Sequence, residues 1–227
     1  MKVEEPLPIT DRLVVVADMR KRRGRLIAIE GIDQAGKRTQ TNLLAAKIRA
    51  TGRPVSVWNF PDYNTPLGRQ LKAYLRSRVH MDLHAVHLLY AANKWEAVER
   101  LKDEIEAGRV VIVNRYTPSN IAYGLAHGLG REWLLTLEER LPKPDLVFVL
   151  DVSPRISQLR KRRARDVHES DLRYLTKVRK WYRKLAYAYG WKIIDGRRDE
   201  EQISRLIFDM GKTVSWTRLV PTSGCNR

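Results

Sequence analysis

The nine residues Gly31-Ile32-Asp33-Gln34-Ala35-Gly36-Lys37-Arg38-Thr39 lie between a short apolar run at 26–30 and a stretch with helical periodicity. That setting constrains the fold more than any other feature of the chain. The pattern G-x-x-x-x-G-K-[ST] carries meaning only where a strand ends and a helix begins. The glycines let the backbone wrap a phosphate without side-chain collision. Exposed N–H groups and the helix N-terminus attract negative charge. Lys37 then reaches the outer phosphates. All nine residues are therefore candidates for binding ATP.

One position departs from the pattern. The residue after the lysine should carry a hydroxyl for magnesium, and here it is Arg38. A guanidinium cannot ligate a cation. Thr39 has a hydroxyl, but one step along a helix turns a side chain by about 100°. Arg38 instead suits direct neutralisation of phosphate. The loop thus supports nucleotide binding more firmly than it supports metal coordination. The metal ligands are left unassigned, and Mg2+ is expected only as a companion of the ATP phosphates.

Apolar runs resembling the first recur at 55–58, 110–113, 146–150 and 192–194, and each reads as a buried strand. Helical patterns lie between them. Leu43, Leu44, Lys47 and Ile48 mark one helix. Val86, Leu89, Tyr90, Asn93 and Val98 mark another, read as one element over about 82–107. Residues 171–189 make a third. Alternating strands and helices predict an α/β fold with a parallel sheet of about five strands and helices on both faces. Ligands in such sheets bind beyond the carboxyl ends of the strands. Gly31, Phe60, Asn114 and Asp151 all fall at such ends, which points to one shared site. Asp151 itself reads as a strand-end cap or turn residue.

With 227 residues, the chain suits one domain of ordinary size. We divide it into an extension at 1–24, a domain at 25–213 and a tail at 214–227. The only cysteine is Cys225, which excludes an intrachain disulfide and a cysteine zinc site. No apolar run approaches the ~20 residues of a membrane span, so the cytoplasm is the expected compartment. The net charge is +17. Nucleic acid is still not the expected partner, because no recognition motif accompanies that charge. His80, His84 and His87 suggest a helix face and not a metal site.

Four segments together carry a resemblance to a family. GIDQAGKRTQ resembles the phosphate loop of thymidylate kinases. FPDYNTPLG, HLLYAANKWE and NRYTPSNIAYG resemble three further segments of that family, in the same order. The likeness spans about 25–210. It implies a three-layer P-loop NTPase fold with a basic lid at about 155–170, a homodimer, and transfer of phosphate from ATP to dTMP. It also implies roles. Asp33 would face the sugar 3′-hydroxyl, and Phe60 and Tyr90 would bracket the base. Lys94 would donate one bond to the base where the family has arginine. Arg115 would hold the acceptor phosphate, and Ser119 and Tyr123 would complete the pocket. Lys37, Arg115 and the lid residues Arg160 and Arg163 would carry catalysis. The physics of phosphoryl transfer asks for the same things, namely in-line positioning and positive charge over the moving group.

Plainer readings stand beside these. Phe60 and Tyr90 also suit an ordinary core, and the run at 160–165 also suits a solvated helix face. Tyr63 replaces a family arginine and Asn114 a family aspartate. With Arg38, these changes all fall on phosphate or metal handling. They leave two alternatives open: a relative that binds nucleotides without catalysis, and a kinase for another nucleoside monophosphate.

Overall fold

The five apolar runs form five strands, each one residue longer than its run. The computed structural model describes residues 23–160 and 171–212. In order, the elements are β1 (Arg25–Glu30), α1 (Lys37–Arg49), β2 (Val55–Asn59), α2 (Pro66–Leu75), α3 (Leu83–Trp95), α4 (Val98–Glu106), β3 (Val110–Asn114), α5 (Thr117–Ala126), α6 (Arg131–Glu138), β4 (Leu146–Asp151), α7 (Pro154–Arg160), α8 (Leu172–Tyr189), β5 (Lys192–Asp195) and α9 (Glu200–Gly211). The sheet is parallel throughout, with strand order β2-β3-β1-β4-β5.

Successive residues of a strand face opposite sides of a sheet. Leu26, Ile27, Ala28, Ile29 and Glu30 are nevertheless all fully buried, as are Val110 to Val113. Both faces of the sheet are therefore covered, as the continuous apolar runs require. The chain leaves β1 for the edge strand β2 and returns to β3 beside β1. The next strand, β4, takes the other side. The order therefore reverses at β1, and the crevice beyond the ends of β1 and β3 is where a ligand belongs. The amide of Arg115 bonds to the carbonyl of Ile29 at 3.1 Å and ties those two ends together.

Local chemistry sets the helix starts. Thr65 caps α2 by accepting from the Gly68 amide at 3.0 Å, with Pro66 at the first helical position. Asp82, Asp171 and Asp199 cap α3, α8 and α9 in the same way. A second apolar cluster, Leu71, Tyr74, Leu75 and Val86, joins α2 to α3.

Three expectations need correction. The helix expected over about 82–107 is two helices. The Ala97 amide bonds three residues back to Lys94, the Glu96 carboxylate accepts from the Asn93 side chain, and α4 starts afresh at Val98. Asp151 is not a cap, because it accepts from Arg179 at 2.5 and 2.8 Å and from Arg183 at 3.3 Å. The histidines share no exposed face. His80 precedes α3, His84 is exposed and His87 is fully buried. Arg163 and the rest of the run at 161–165 lie outside the described residues, as do most of the extension at 1–24 and the tail at 214–227.

Candidate active site

The loop after β1 has the conformation its glycines permit. Gly31 and Gly36 have φ of 137° and 97°, values that side chains disfavour. A Cβ on Gly31 would lie 2.6 Å from the carbonyl oxygen of Leu150, so only glycine lets the loop pass β4 this closely. The loop then enters α1 at Lys37. Lys37 is buried, and its Nζ donates to the Ile32 carbonyl at 2.8 Å. Burial and the nearby Arg115 charge lower its pKa to about 7, against the opposing pull of Asp33 and Glu30.

Two clefts open over this loop. The first is lined by Asp33, Gln34, Ala35, Gly36, Lys37, Arg38 and Thr39, together with Asn114, Arg115 and Arg160. Arg160 donates from Nη2 to the Gly196 carbonyl at 2.8 Å, and its Nη1 reaches the Ala35 carbonyl at 3.5 Å. One of the two expected lid arginines is thereby placed on the phosphate loop itself. The second cleft is apolar and aromatic. Asp33, Phe60, Tyr90, Lys94, Arg115, Ser119 and Tyr123 all line it, so the seven residues expected to bind the acceptor share one pocket. Tyr63 lines it too. Phe60 is 6% exposed, stacks on Trp58 and meets Tyr116 at a tilt, so it is both a core residue and a pocket wall.

Asp33 and Arg115 line both clefts. They form an ion pair, and Tyr123 closes the triangle. Its hydroxyl donates to Asp33 Oδ2 at 2.9 Å and accepts from Arg115 Nη2 at 3.2 Å. Burial pushes the Asp33 carboxyl up. The charges of Arg115 and Lys37 and the Tyr123 hydrogen bond outweigh that and hold it well below the usual carboxylate range. Arg115 adopts φ of 62°, a left-handed conformation rare outside glycine. Such strain persists where surrounding contacts over-determine it, commonly at sites of function.

Two expected contacts differ in detail. The Ser119 hydroxyl donates to Glu30 Oε2 at 2.6 Å. Lys94 pairs with Glu138 at 3.0 Å, which already commits part of its donor capacity. Neither partner was anticipated. Glu30 is fully buried at the end of β1, where burial raises its pKa against hydrogen bonds from Ser119, Tyr182 and the Tyr116 amide. A carboxylate closing the run LIAIE was the available signal for Glu30. Tyr182, on α8, had none, because only the tertiary fold brings it to β1.

Among the described residues, no group of three or more His, Cys, Asp or Glu is placed to hold a metal ion. One observation does suit a magnesium ion. Asn114 Oδ1, in the phosphate cleft, is buried without a hydrogen-bond partner. A lone amide oxygen is an acceptable ligand for a hard cation that keeps most of its shell as water and phosphate oxygens. Thr39 is half-buried and Arg38 exposed in the same cleft.

A phosphate loop beside an aromatic pocket, with one arginine common to both, defines a P-loop protein with a second pocket next to its phosphate loop. Comparison with known proteins narrows that class. The family model for thymidylate kinase matches residues 29–207, and the chain belongs to the thymidylate kinase family. A thymidylate kinase of Danio rerio is 35% identical over 196 residues, covering 85% of this chain and 92% of that protein. One of Plasmodium falciparum is 31% identical over 202 residues, covering 88% and 94%. The solved structure of a thymidylate kinase from Candida albicans superposes with a TM-score of 0.77 at 28% identity, covering 86% of this chain and 93% of that one. No described helix is long and apolar enough to cross a membrane.

Proposed function

We propose that this chain transfers the γ-phosphoryl group of ATP to dTMP, giving dTDP and ADP. The observation that carries this is the shared wall. Asp33 and Arg115 face both the phosphate loop and the aromatic pocket, so a donor on one side and an acceptor on the other meet at a single guanidinium.

Each group then has a task. The loop amides and Lys37 hold the donor phosphates. Arg115, fixed by Asp33 and Tyr123, holds the acceptor phosphate in line with them. Phe60 and Tyr90 sandwich the base, and Lys94 donates to its edge. Asp33, kept ionised, accepts from the sugar hydroxyl. Arg160 adds positive charge beside Ala35, where negative charge spreads in the transition state. A bound magnesium ion would neutralise phosphate charge, and Asn114 Oδ1 and the Thr39 hydroxyl are the protein oxygens that would hold it. Arg163 belongs to the same proposal as a lid residue.

Two further parts of the proposal concern setting. Leu88 and Trp95 are seven residues apart on α3 and 48% and 40% exposed, which supports a homodimer packed on that helix. The cytoplasm is the proposed compartment. Phosphorus NMR of a reaction with ATP, magnesium and dTMP tests the activity, because transfer consumes the dTMP monophosphate signal, whereas plain ATP hydrolysis leaves it and releases inorganic phosphate. Faster conversion of dUMP, dCMP or AMP than of dTMP would replace the acceptor in this assignment.

A further inference from the structure

Lys94 is the pocket's only cation expected to meet the base instead of a phosphate. Its side chain is 4% exposed. Burying an ammonium costs several kcal/mol unless a partner repays it. The partner is Glu138, the last residue of α6, itself 3% exposed at the side chain and outside the pocket lining. Lys94 Nζ lies 3.0 Å from Glu138 Oε1 and donates to the Tyr90 carbonyl at 2.9 Å. An ammonium has three N–H groups. Two are thereby committed, and one is left for the pocket.

Glu138 is in turn held. Asn120 on α5 donates from Nδ2 to the same Oε1 at 2.6 Å and to the His87 carbonyl at 3.1 Å. Those two acceptors fix the orientation of the Asn120 amide. Its Oδ1 then faces His87 Nδ1 at 2.7 Å, which makes that nitrogen the donor. Residues from α3, α5 and α6 thus meet on one carboxylate oxygen. A buried ion pair contributes little net stability compared with apolar residues of the same volume, while it fixes geometry well. That balance suits positioning better than it suits stability.

We infer that Glu138 is a positioning residue for base recognition: it acts through Lys94 to aim the remaining N–H at the base edge. The inference rests on the acceptor pocket assigned above. A thymine or uracil presents a carbonyl oxygen at such an edge and accepts that N–H. A cytosine presents an amine there, and two donors would face each other. Glu138 thereby contributes to choosing a carbonyl-bearing pyrimidine over an amino-bearing one without touching either.

Steady-state kinetics of wild type and Glu138→Gln with dTMP and dCMP test this. Glutamine keeps the shape and an acceptor for Asn120 but removes the counter-charge. The expected result is a rise of about tenfold in KM for dTMP, a smaller change in kcat, and a fall in the dTMP to dCMP preference. In the Lys94→Met background, Glu138→Gln is expected to leave KM for dTMP where Lys94→Met alone puts it, because the effect travels through Lys94. A lowered melting temperature with unchanged KM and unchanged preference would make Glu138 structural and overturn the inference. So would equal effects of Glu138→Gln on KM with and without Lys94; if Lys94→Met does not fold, the KM and the dTMP to dCMP preference of Glu138→Gln alone decide. Wild-type protein that neither binds nor phosphorylates dTMP overturns the assignment of the pocket itself, a different failure visible before any variant is made.

Discussion

Asp33 and Arg115 reach each other from the ends of two neighbouring parallel strands, and their ion pair forms the wall between the phosphate loop and the aromatic pocket. The pair exists because β3 returns to lie beside β1, with Ile29 aligned to Asn114 in the ladder. Neighbouring strand ends therefore bring a loop residue and an arginine 82 positions apart into contact.

Arg115→Gly and Arg115→Ala should both raise the dTMP dissociation constant by at least about tenfold, because a charge-assisted contact to phosphate is lost. They should differ in stability. Arg115 sits at φ of 62°, which glycine adopts freely and alanine does not, so the alanine variant should be less stable by about 1 kcal/mol. Calorimetric titration and thermal unfolding read the two effects. Unchanged dTMP binding would move the acceptor phosphate elsewhere.

Lys37 should couple ATP binding to proton uptake. In the free protein its pKa is lowered to about 7, so a large share is neutral near pH 8. Bound phosphates favour the ammonium, so a proton must be taken up on binding there. ATP affinity should therefore fall as pH rises above 7, and this group should contribute no such trend well below it. Calorimetry near pH 8 in two buffers of different ionisation enthalpy should show uptake approaching about one proton. Lys37→Met should abolish it. Identical heats for wild type in both buffers would contradict the proposed electrostatics.

Arg38→Ser should tighten magnesium binding by the nucleotide complex, since it removes a cation from the cleft that holds Asn114 Oδ1 and Thr39. Titration of activity with magnesium measures this. An equal or weaker apparent affinity would show that Arg38 is not beside the metal.

The strands and the phosphate loop were legible because both follow local rules. Continuous apolar runs gave every strand to within one residue. The seven residues expected to bind the acceptor came from motif resemblance, and they line one pocket. What stayed hidden depends on contacts between distant elements. Nothing around Glu138 marks it as the partner of Lys94, and nothing around Tyr182 marks it as a partner of Glu30. His87 looked like one of three histidines on a helix face until α5 supplied Asn120 against it. The division of 82–107 into two helices was hidden for a similar reason. The apolar spacing continues through Ala97, while the Asn93 side chain, held by Glu96, turns to anchor the loop that carries Asp62 and Thr65.

That loop supplies a test of stability and binding together. A Cβ on Gly68 would lie 1.7 Å from the carbonyl oxygen of Asp62. Backbone must move to admit it, and Phe60, Pro61 and Tyr63 line the pocket from the same segment. Gly68→Ala should destabilise the protein by about 1–3 kcal/mol and raise KM for dTMP severalfold. Thermal unfolding and initial rates measure both. A variant with normal stability and normal KM would mean that the loop does not set the pocket.

Release of ADP, coupled to a spectroscopic readout with ATP, magnesium and dTMP supplied, tests the central claim most directly. The expected result is steady ADP release that requires dTMP and saturates with it. Measurable dTMP binding with no dTMP-dependent ADP release would contradict the claim and leave a nucleotide-binding protein that does not transfer phosphate.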